Sequence, residues 1–286
     1  DTKEVSKDSI ICKVDGELTD LSAKLLNDCD LQFMDAKSKD GHSVLLHSTA
    51  HLMAQAVKRL FPETKVTIGP FLENKFYYDF DVKTPFSEED LKRIEEEMYN
   101  ISNENLDIIH EEKSRDEALK FFDQIGEDYK VEIINDLDKN EILKVYSQGE
   151  FTDLCRGPHI PSTGVIKHFK LLSSSAAYWR GDEKNQTLQR VYGTSFQNSK
   201  DLKKYLLMLE EQKKRDHRKI GKELDLFFFD DEIGPGLPLW TPSGTVLIDE
   251  LEALAKEKEV SGGYLRVRTP HLTKGDLFSK SGHLDH

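Results

Sequence analysis

The strongest constraint on this chain is a pair of short motifs, His47-Ser48-Thr49-Ala50-His51 and, about a hundred residues later, Cys155-Arg156-Gly157-Pro158-His159. Each sets two ligand-capable side chains four positions apart, and each demands a different backbone. No helix breaker interrupts the first, and Leu52, Met53, Ala56, Val57 and Leu60 continue an apolar stripe at helical spacing, so His47 and His51 project from one helix face. In the second, Gly157-Pro158 opposes a helix and places Cys155 and His159 on either side of a tight turn. A fold that honours both brings a helix face against a turn, with four donors meeting in one pocket. Either half alone recurs by accident; together they point to a site. Ser48 stands where the zincin motif H-E-x-x-H carries its glutamate base, which argues against metalloprotease chemistry.

The 286 residues, 37% of them hydrophobic, suffice for two or three small domains with ordinary cores. No apolar run approaches the roughly 18 to 20 residues of a membrane helix, and Asp1-Thr2-Lys3-Glu4 lacks the apolar core of a signal peptide. Cys12, Cys29 and Cys155 are an odd set without framework spacing, which favours reduced thiols and a cytoplasmic chain. The net charge of -13 argues against nonspecific coating of nucleic acid. Yet residues 197–222 hold nine Lys/Arg against four acids, the pattern either of a local phosphate-contacting strip or of a solvated helix face.

Along the chain, Ile10 to Val14, Glu17-Leu18 and Leu31 to Met34 read as short strands separated by turns, part of a β-rich module whose first strands lie upstream. A polar linker from Lys37 to Gly41 precedes the histidine helix. Strand alternation follows in Val66 to Ile68 and Phe76 to Phe80. Ser87 with Asp90 caps a helix whose buried stripe is Leu91, Ile94, Met98 and Ile101. Another helix covers Ser114 to Phe122, and further strands fall at Lys130 to Ile134, Leu143 to Tyr146, Phe151 to Cys155, Phe169 to Leu172 and Thr187 to Tyr192. The basic segment reads as a single connecting helix over residues 199–222. A loop at Gly234 to Pro238 leads to an amphipathic helix, Thr245 to Glu259, and a strand, Tyr264 to Arg268, that stops at Pro270.

These motifs resemble those of the threonyl-tRNA synthetase family, and the resemblance covers essentially the whole chain. It rests on the two motifs above, Phe76-Tyr77-Tyr78-Asp79, Asp153-Leu154 ahead of Cys155, Tyr178-Trp179-Arg180-Gly181-Asp182, Leu188 to Thr194, and Lys214-Arg215-Asp216-His217-Arg218-Lys219-Ile220-Gly221. The implied fold class is α+β, in four pieces. Residues 1–36 resemble part of a ubiquitin-like β-grasp (TGS) module, 37–197 the editing domain of the threonyl/alanyl type, 198–222 a basic linker helix, and 223–286 the start of a class II antiparallel-sheet catalytic domain with motif 1. Alanyl-type editing modules share the histidine and cysteine motifs; the β-rich piece before His47 and the motif 1 unit after the domain fit the threonyl family.

The resemblance implies a parent threonine-tRNA ligase that uses ATP, Mg and a catalytic-core zinc whose ligands are not in this chain. Motifs 2 and 3 do not occur before His286, so aminoacylation is not expected of these residues. The implied partners are tRNA(Thr), seryl-tRNA(Thr) as editing substrate, and a second copy through motif 1, with no membrane. The need for editing follows from size: one missing methyl gives a synthetic site only about 10- to 200-fold discrimination, so a second site must hydrolyse the smaller amino acid's ester. In that chemistry His47 or His51 is a neutral-pH base, with Cys155 and His159 completing the pocket. The resemblance assigns a catalytic role to Lys130; Asp153 alternates with Cys155 along a strand, so both face the pocket and its carboxylate suits the substrate ammonium, while Tyr78 is a candidate substrate hydrogen-bonder and Arg156, Arg180, Lys214, Arg215 and Arg218 are candidate tRNA contacts. Cys155 as a nucleophile would need a base that fixes its thiolate. Whether His47, His51, Cys155 and His159 hold zinc is a fork: alanyl-type relatives bind it there, and the threonyl family is read as editing without it. The competing readings are an alanyl-type zinc deacylase and an inactive tRNA-binding regulatory module.

Overall fold

The structure is a computed structural model that describes residues 8–138, 141–270 and 274–282. The Asp1 to Glu4 segment lies outside these. Residues 1–207 form one compact unit and 208–286 a second.

The first unit starts with a three-stranded antiparallel sheet in the order β2-β1-β3, built from β1 (Ser9–Val14), β2 (Glu17–Thr19) and β3 (Leu31–Asp35). Helix α1 (Lys39–Leu60) follows at once. Its cap is Ser38, whose hydroxyl accepts from Gly41 N, so Lys39 to Gly41 form the first turn rather than a linker. Next come β4 (Lys65–Val66), β5 (Phe76–Asp81) and α2 (Glu88–Glu104), with the Ser87/Asp90 capping box formed in both directions and Ile94, Met98 and Ile101 fully buried. Strand β6 (Ile108–Lys113), unforeseen in the sequence, leads to α3 (Arg115–Gln124) and α4 (Asp128–Asp136). Strands β7 (Leu143–Gln148), β8 (Phe151–Leu154), β9 (His168–Tyr178) and β10 (Thr187–Phe196) complete the unit. They form one antiparallel sheet in the order β4-β5-β10-β9 and another in the order β6-β7-β8.

Two cores hold these layers. The larger centres on α1, which packs on α2, β5, β8, β10 and the first sheet, and it includes Ile10, Ile11, Met34 and Ala36 from residues before the helix. The smaller joins Ala118, Phe122, Ile134, Leu143 and Val145 across α3, α4 and β7.

One strand is corrected to a helix: Lys130 to Ile134 lies inside α4. The β-branched run suggested a strand, but Lys130 and Ile134, one turn apart, are the two buried positions, and Ile134 closes the smaller core.

In the second unit the connecting helix is two helices, α5 (Ser199–Lys214, beginning in the first unit) and α6 (His217–Glu223). They are divided at Asp216, whose carboxylate accepts from Arg218 N and caps the second. A two-stranded ribbon, β11 (Phe227–Phe228) and β12 (Leu239–Trp240), precedes α7 (Pro242–Ser261) and the short α8 (Gly275–Lys280). Residues 264–268 form no strand, which corrects the sequence expectation: they pair with no other strand among the described residues, and Leu265 is 92% exposed. The α+β class stands, and no helix among the described residues is long and apolar enough to cross a membrane.

Candidate functional site

Helix α1 runs through the larger core, so its polar residues have few places to go. His47 and His51 sit one turn apart on it; His51 and His159 are buried, while His47 remains partly accessible. Beyond β8 the ladder extends one residue, Cys155 N donating to Lys144 O at 3.1 Å, and the chain then turns back. Gly157 makes the turn with φ +68°; a Cβ there would lie 1.9 Å from Tyr146 Oη, so both the backbone angle and the space call for glycine.

Helix and turn meet as the motif spacing required. His47 Nε2 lies 2.9 Å from Cys155 Sγ, Cys155 Sγ 3.3 Å from His159 Nε2, and Gly157 N donates to the same sulfur at 3.2 Å. Ser48, read in the sequence only as a missing glutamate, holds the turn: its Oγ accepts from Ile160 N at 3.2 Å and lies 2.9 Å from His159 Nδ1. The three imidazole centroids stand 4.4 to 4.9 Å apart.

A second cluster adjoins the first. Lys130, on α4, is 2% exposed and ion-paired with Asp153, which is 1% exposed on β8. Tyr78 Oη donates to Asp153 Oδ2 at 2.6 Å and accepts from Lys130 Nζ at 3.2 Å, while His51 Nε2 stands 3.7 Å from the same carboxylate. Tyr78 is wholly buried and Asp153 is committed to Lys130 and Tyr78, so both serve the interior of the site rather than a free surface.

Burial dominates the electrostatics. Desolvation brings the His47 pKa down to about 4, with Asp153 partly opposing it, and drives His51 and His159 well below the ordinary imidazole value. All three rings are therefore neutral at pH 7. His47 consequently accepts a proton as a weaker base than the unperturbed imidazole expected from the sequence. Burial pushes the Cys155 thiol up to about 12, so without a cation it is protonated and a poor nucleophile.

The ligand atoms of His47, His51, Cys155 and His159 all lie within 4.8 Å of one another, a donor set that fits a tetrahedral zinc. The His47–Cys155 separation of 2.9 Å is shorter than the roughly 3.5 Å that zinc bonds of ~2.0 and ~2.3 Å impose on two ligands, so these two side chains would move apart to hold the ion. A cleft of about 320 Å³ opens beside Cys155, walled by Ile133, Leu137, Leu143 and Leu154 with Arg156 at its edge.

The arginines stand apart from the donor cluster. Arg156 reaches Glu141 at 2.9 Å, and Arg180 lies over Trp179 and pairs with Glu132 and Asp136. Lys214 and Arg215, both exposed, pair with the exposed Glu211, and the exposed Arg218 pairs with the half-buried Asp216. The sequence reading missed Ser48, Tyr146 and Asp20. Ser48 lay inside the motif, next to His47 on the helix, whereas nothing local marks Tyr146 or Asp20.

Residues 143–192, which span β7 to most of β10, match the family described as the threonyl and alanyl tRNA synthetase second additional domain. Threonine–tRNA ligases are similar over nearly the whole chain: that of Symbiobacterium thermophilum is 49% identical over 282 residues, 99% of this chain and 43% of the relative. That of Pelobacter propionicus is 52% identical over 281 residues, 98% of this chain and 44% of the relative. The chain thus spans less than half the length of the curated relatives it matches. Across that shared length, the chain belongs to the threonyl-tRNA synthetase family.

Proposed function

We propose that this chain carries the proofreading site of a threonine-tRNA ligase and hydrolyses seryl-tRNA(Thr). The observation that carries the reading is the abutment of two clusters, the half-buried His47/His51/Cys155/His159 set and the buried Lys130–Asp153–Tyr78 set, with a cleft that reaches Cys155. In the reaction a water oxygen bonds to the ester carbonyl carbon, the bond to the tRNA ribose oxygen breaks, and the water's proton ends on that oxygen. His47, the accessible ring, is neutral and orients the water as its proton acceptor; the Lys130 ammonium, held by Asp153, stabilises charge on the departing oxygen. Arg156, Arg180, Lys214, Arg215 and Arg218 are candidate contacts to tRNA phosphates. The reading places the chain in the cytoplasm, with ATP, Mg and dimerisation belonging to the parent enzyme.

The site is proposed to work without a resident metal, as the resemblance to the threonyl family implies. If zinc binds, the same four residues hold it, and it supplies an activated water at neutral pH. Metal analysis separates the two: stoichiometric zinc that is lost on replacing Cys155 would establish the zinc site and favour the alanyl type. For function, deacylation of Ser-tRNA(Thr), Ser-tRNA(Ala) and Thr-tRNA(Thr) is compared for the chain and for His47→Ala. We expect hydrolysis of the first alone, lost in the variant. Hydrolysis of only the second substrate would mark an alanyl-type deacylase, and hydrolysis of none an inactive tRNA-binding module.

A further inference from the structure

Asp20 lies in the segment that sequence boundaries assign to a separate β-module, yet its side chain ends in the site. It follows directly on β2, where Thr19 pairs with Cys12 of β1, and its carbonyl accepts from Ala23 N at 3.1 Å, so its backbone is fixed by the first sheet. The residue is 7% exposed. One carboxylate oxygen, Oδ1, accepts from the backbone N–H of His159 at 2.8 Å, and the other, Oδ2, accepts from Tyr146 Oη at 2.8 Å. His110 Nδ1 is 3.5 Å from Oδ2. No Lys or Arg pairs with this carboxylate among the described residues. A largely buried carboxylate with that little cationic support is expensive to retain, so mere packing is a poor account of it.

The two donors converge on the turn that carries Cys155 and His159. Tyr146 Oη is the atom that fills the space over Gly157, and its ring lies 4.5 Å from the His159 imidazole. Asp20 therefore fixes the turn at both sides, at the His159 backbone and through the tyrosine beneath Gly157. Ser48 holds His159 from the helix side, and between them Asp20 and Ser48 brace the turn on which Cys155 Sγ sits 2.9 Å from His47.

We propose that Asp20 is a positioning residue of the hydrolytic site: a carboxylate from the first sheet that sets the Cys155–His159 turn against the α1 histidines through His159 N and Tyr146 Oη. The assignment to hydrolysis rests on the function proposed above; the positioning itself rests on these contacts alone. Displacement of a reacting constellation by an ångström, or removal of a group that orients the residues in direct contact with the chemistry, typically lowers rates about 10- to 100-fold.

The test compares the whole chain with Asp20→Ala, Asp20→Asn and Tyr146→Phe, reading kcat and KM for Ser-tRNA(Thr) deacylation and the imidazole ¹⁵N resonances of His47 and His159. Asp20→Ala is expected to lower kcat about 10- to 100-fold with KM unchanged and to move both sets of resonances. Asp20→Asn keeps an acceptor for His159 N and can donate to Tyr146 Oη, so it should restore kcat and leave the resonances in place. Tyr146→Phe, which keeps the ring, should lower kcat by less than Asp20→Ala. Unchanged kcat and resonances in Asp20→Ala overturn the proposal. So does an Asp20→Asn variant that is folded yet as impaired as alanine, because the charge rather than the position would then matter. If Asp20→Ala does not fold, the Asp20→Asn and Tyr146→Phe results decide. If the unsubstituted chain hydrolyses no seryl ester, the hydrolytic reading fails, and the histidine resonances alone decide whether Asp20 positions the turn.

Discussion

At the level of single residues, burial governs how the histidine cluster responds to pH. His47, His51 and His159 all have lowered pKa values in the fold, to about 4 for His47, against an ordinary value near 6.5. Between those limits the unfolded chain binds more protons than the folded one. Stability is therefore fully present above pH 6.5 and falls as the pH drops toward 4, at roughly 1.4 kcal/mol per pH unit for each proton taken up. Urea denaturation of metal-free protein should show this loss, and His47→Gln should lessen it while the His51 and His159 contributions remain; a pH-independent midpoint from 7 to 5 would contradict the burial argument. The Lys130–Asp153 pair behaves differently, because each partner alone would be an uncompensated buried charge. Lys130→Met should abolish hydrolysis and destabilise by about 3–5 kcal/mol, with Lys130→Met/Asp153→Asn recovering part of the stability in a double-mutant cycle. The sequence disclosed the residues of this site whose chemistry is local, the two motifs with their opposite backbone demands. It did not disclose Asp20 or Tyr146, because their roles exist only once β1, β2 and β7 are folded against the turn.

Among the elements, α4 shows why local propensity misled. Its run Lys130-Val131-Glu132-Ile133-Ile134 favours a strand on residue preference, but tertiary packing selects the helix that buries Lys130 and Ile134 together. The helix is pinned at its start. Glu127, 4% exposed, accepts from Lys58 Nζ at 2.7 Å and from Val66 N at 3.1 Å, and Tyr129 Oη donates to Asp81 at 2.9 Å. Further along, Trp179 Nε1 donates to Glu132 at 3.0 Å. Because α4 carries Lys130, loosening it should be felt in the site. Glu127→Ala strands a buried N–H and should cost about 1–3 kcal/mol while lowering hydrolysis; Glu127→Gln, which still accepts from Val66 N, should fall between it and the parent. Thermal melts read beside deacylation rates check the order of the three. Where caps and periodicity agreed, as in α2 with its Ser87/Asp90 box and its Ile94, Met98 and Ile101 stripe, the sequence was sufficient.

On the scale of the molecule, what matters is which stretches own a core. The family resemblance divides the chain after residue 36, and the larger core runs across that position, with Ile10, Ile11 and Met34 buried beside α1 side chains. Sequence alone could not show this, because each strand's alternation is satisfied equally by a separate module or by a shared interior. The second unit is the opposite case: from Met208 onward only Gly221 and Gly244 are buried among the described residues, and Val246, Leu247, Leu251 and Leu254 of α7 are exposed. Two shortened chains should therefore differ sharply. A chain ending at Lys214, which keeps α5 whole, retains both cores and every residue of the two site clusters, and should unfold cooperatively and hydrolyse seryl-tRNA(Thr). A chain that starts at Lys37 loses Ile10, Ile11 and Met34 from the core, each worth about 1.5–3 kcal/mol of burial, together with the Asp20 contacts. That sum is comparable with the whole stability of an ordinary domain, about 5–15 kcal/mol, so this chain should lack a cooperative melt and show no hydrolysis. Calorimetry on the two decides it: a folded, active chain from Lys37 onward would mean that the first sheet is an accessory to the site rather than part of its support.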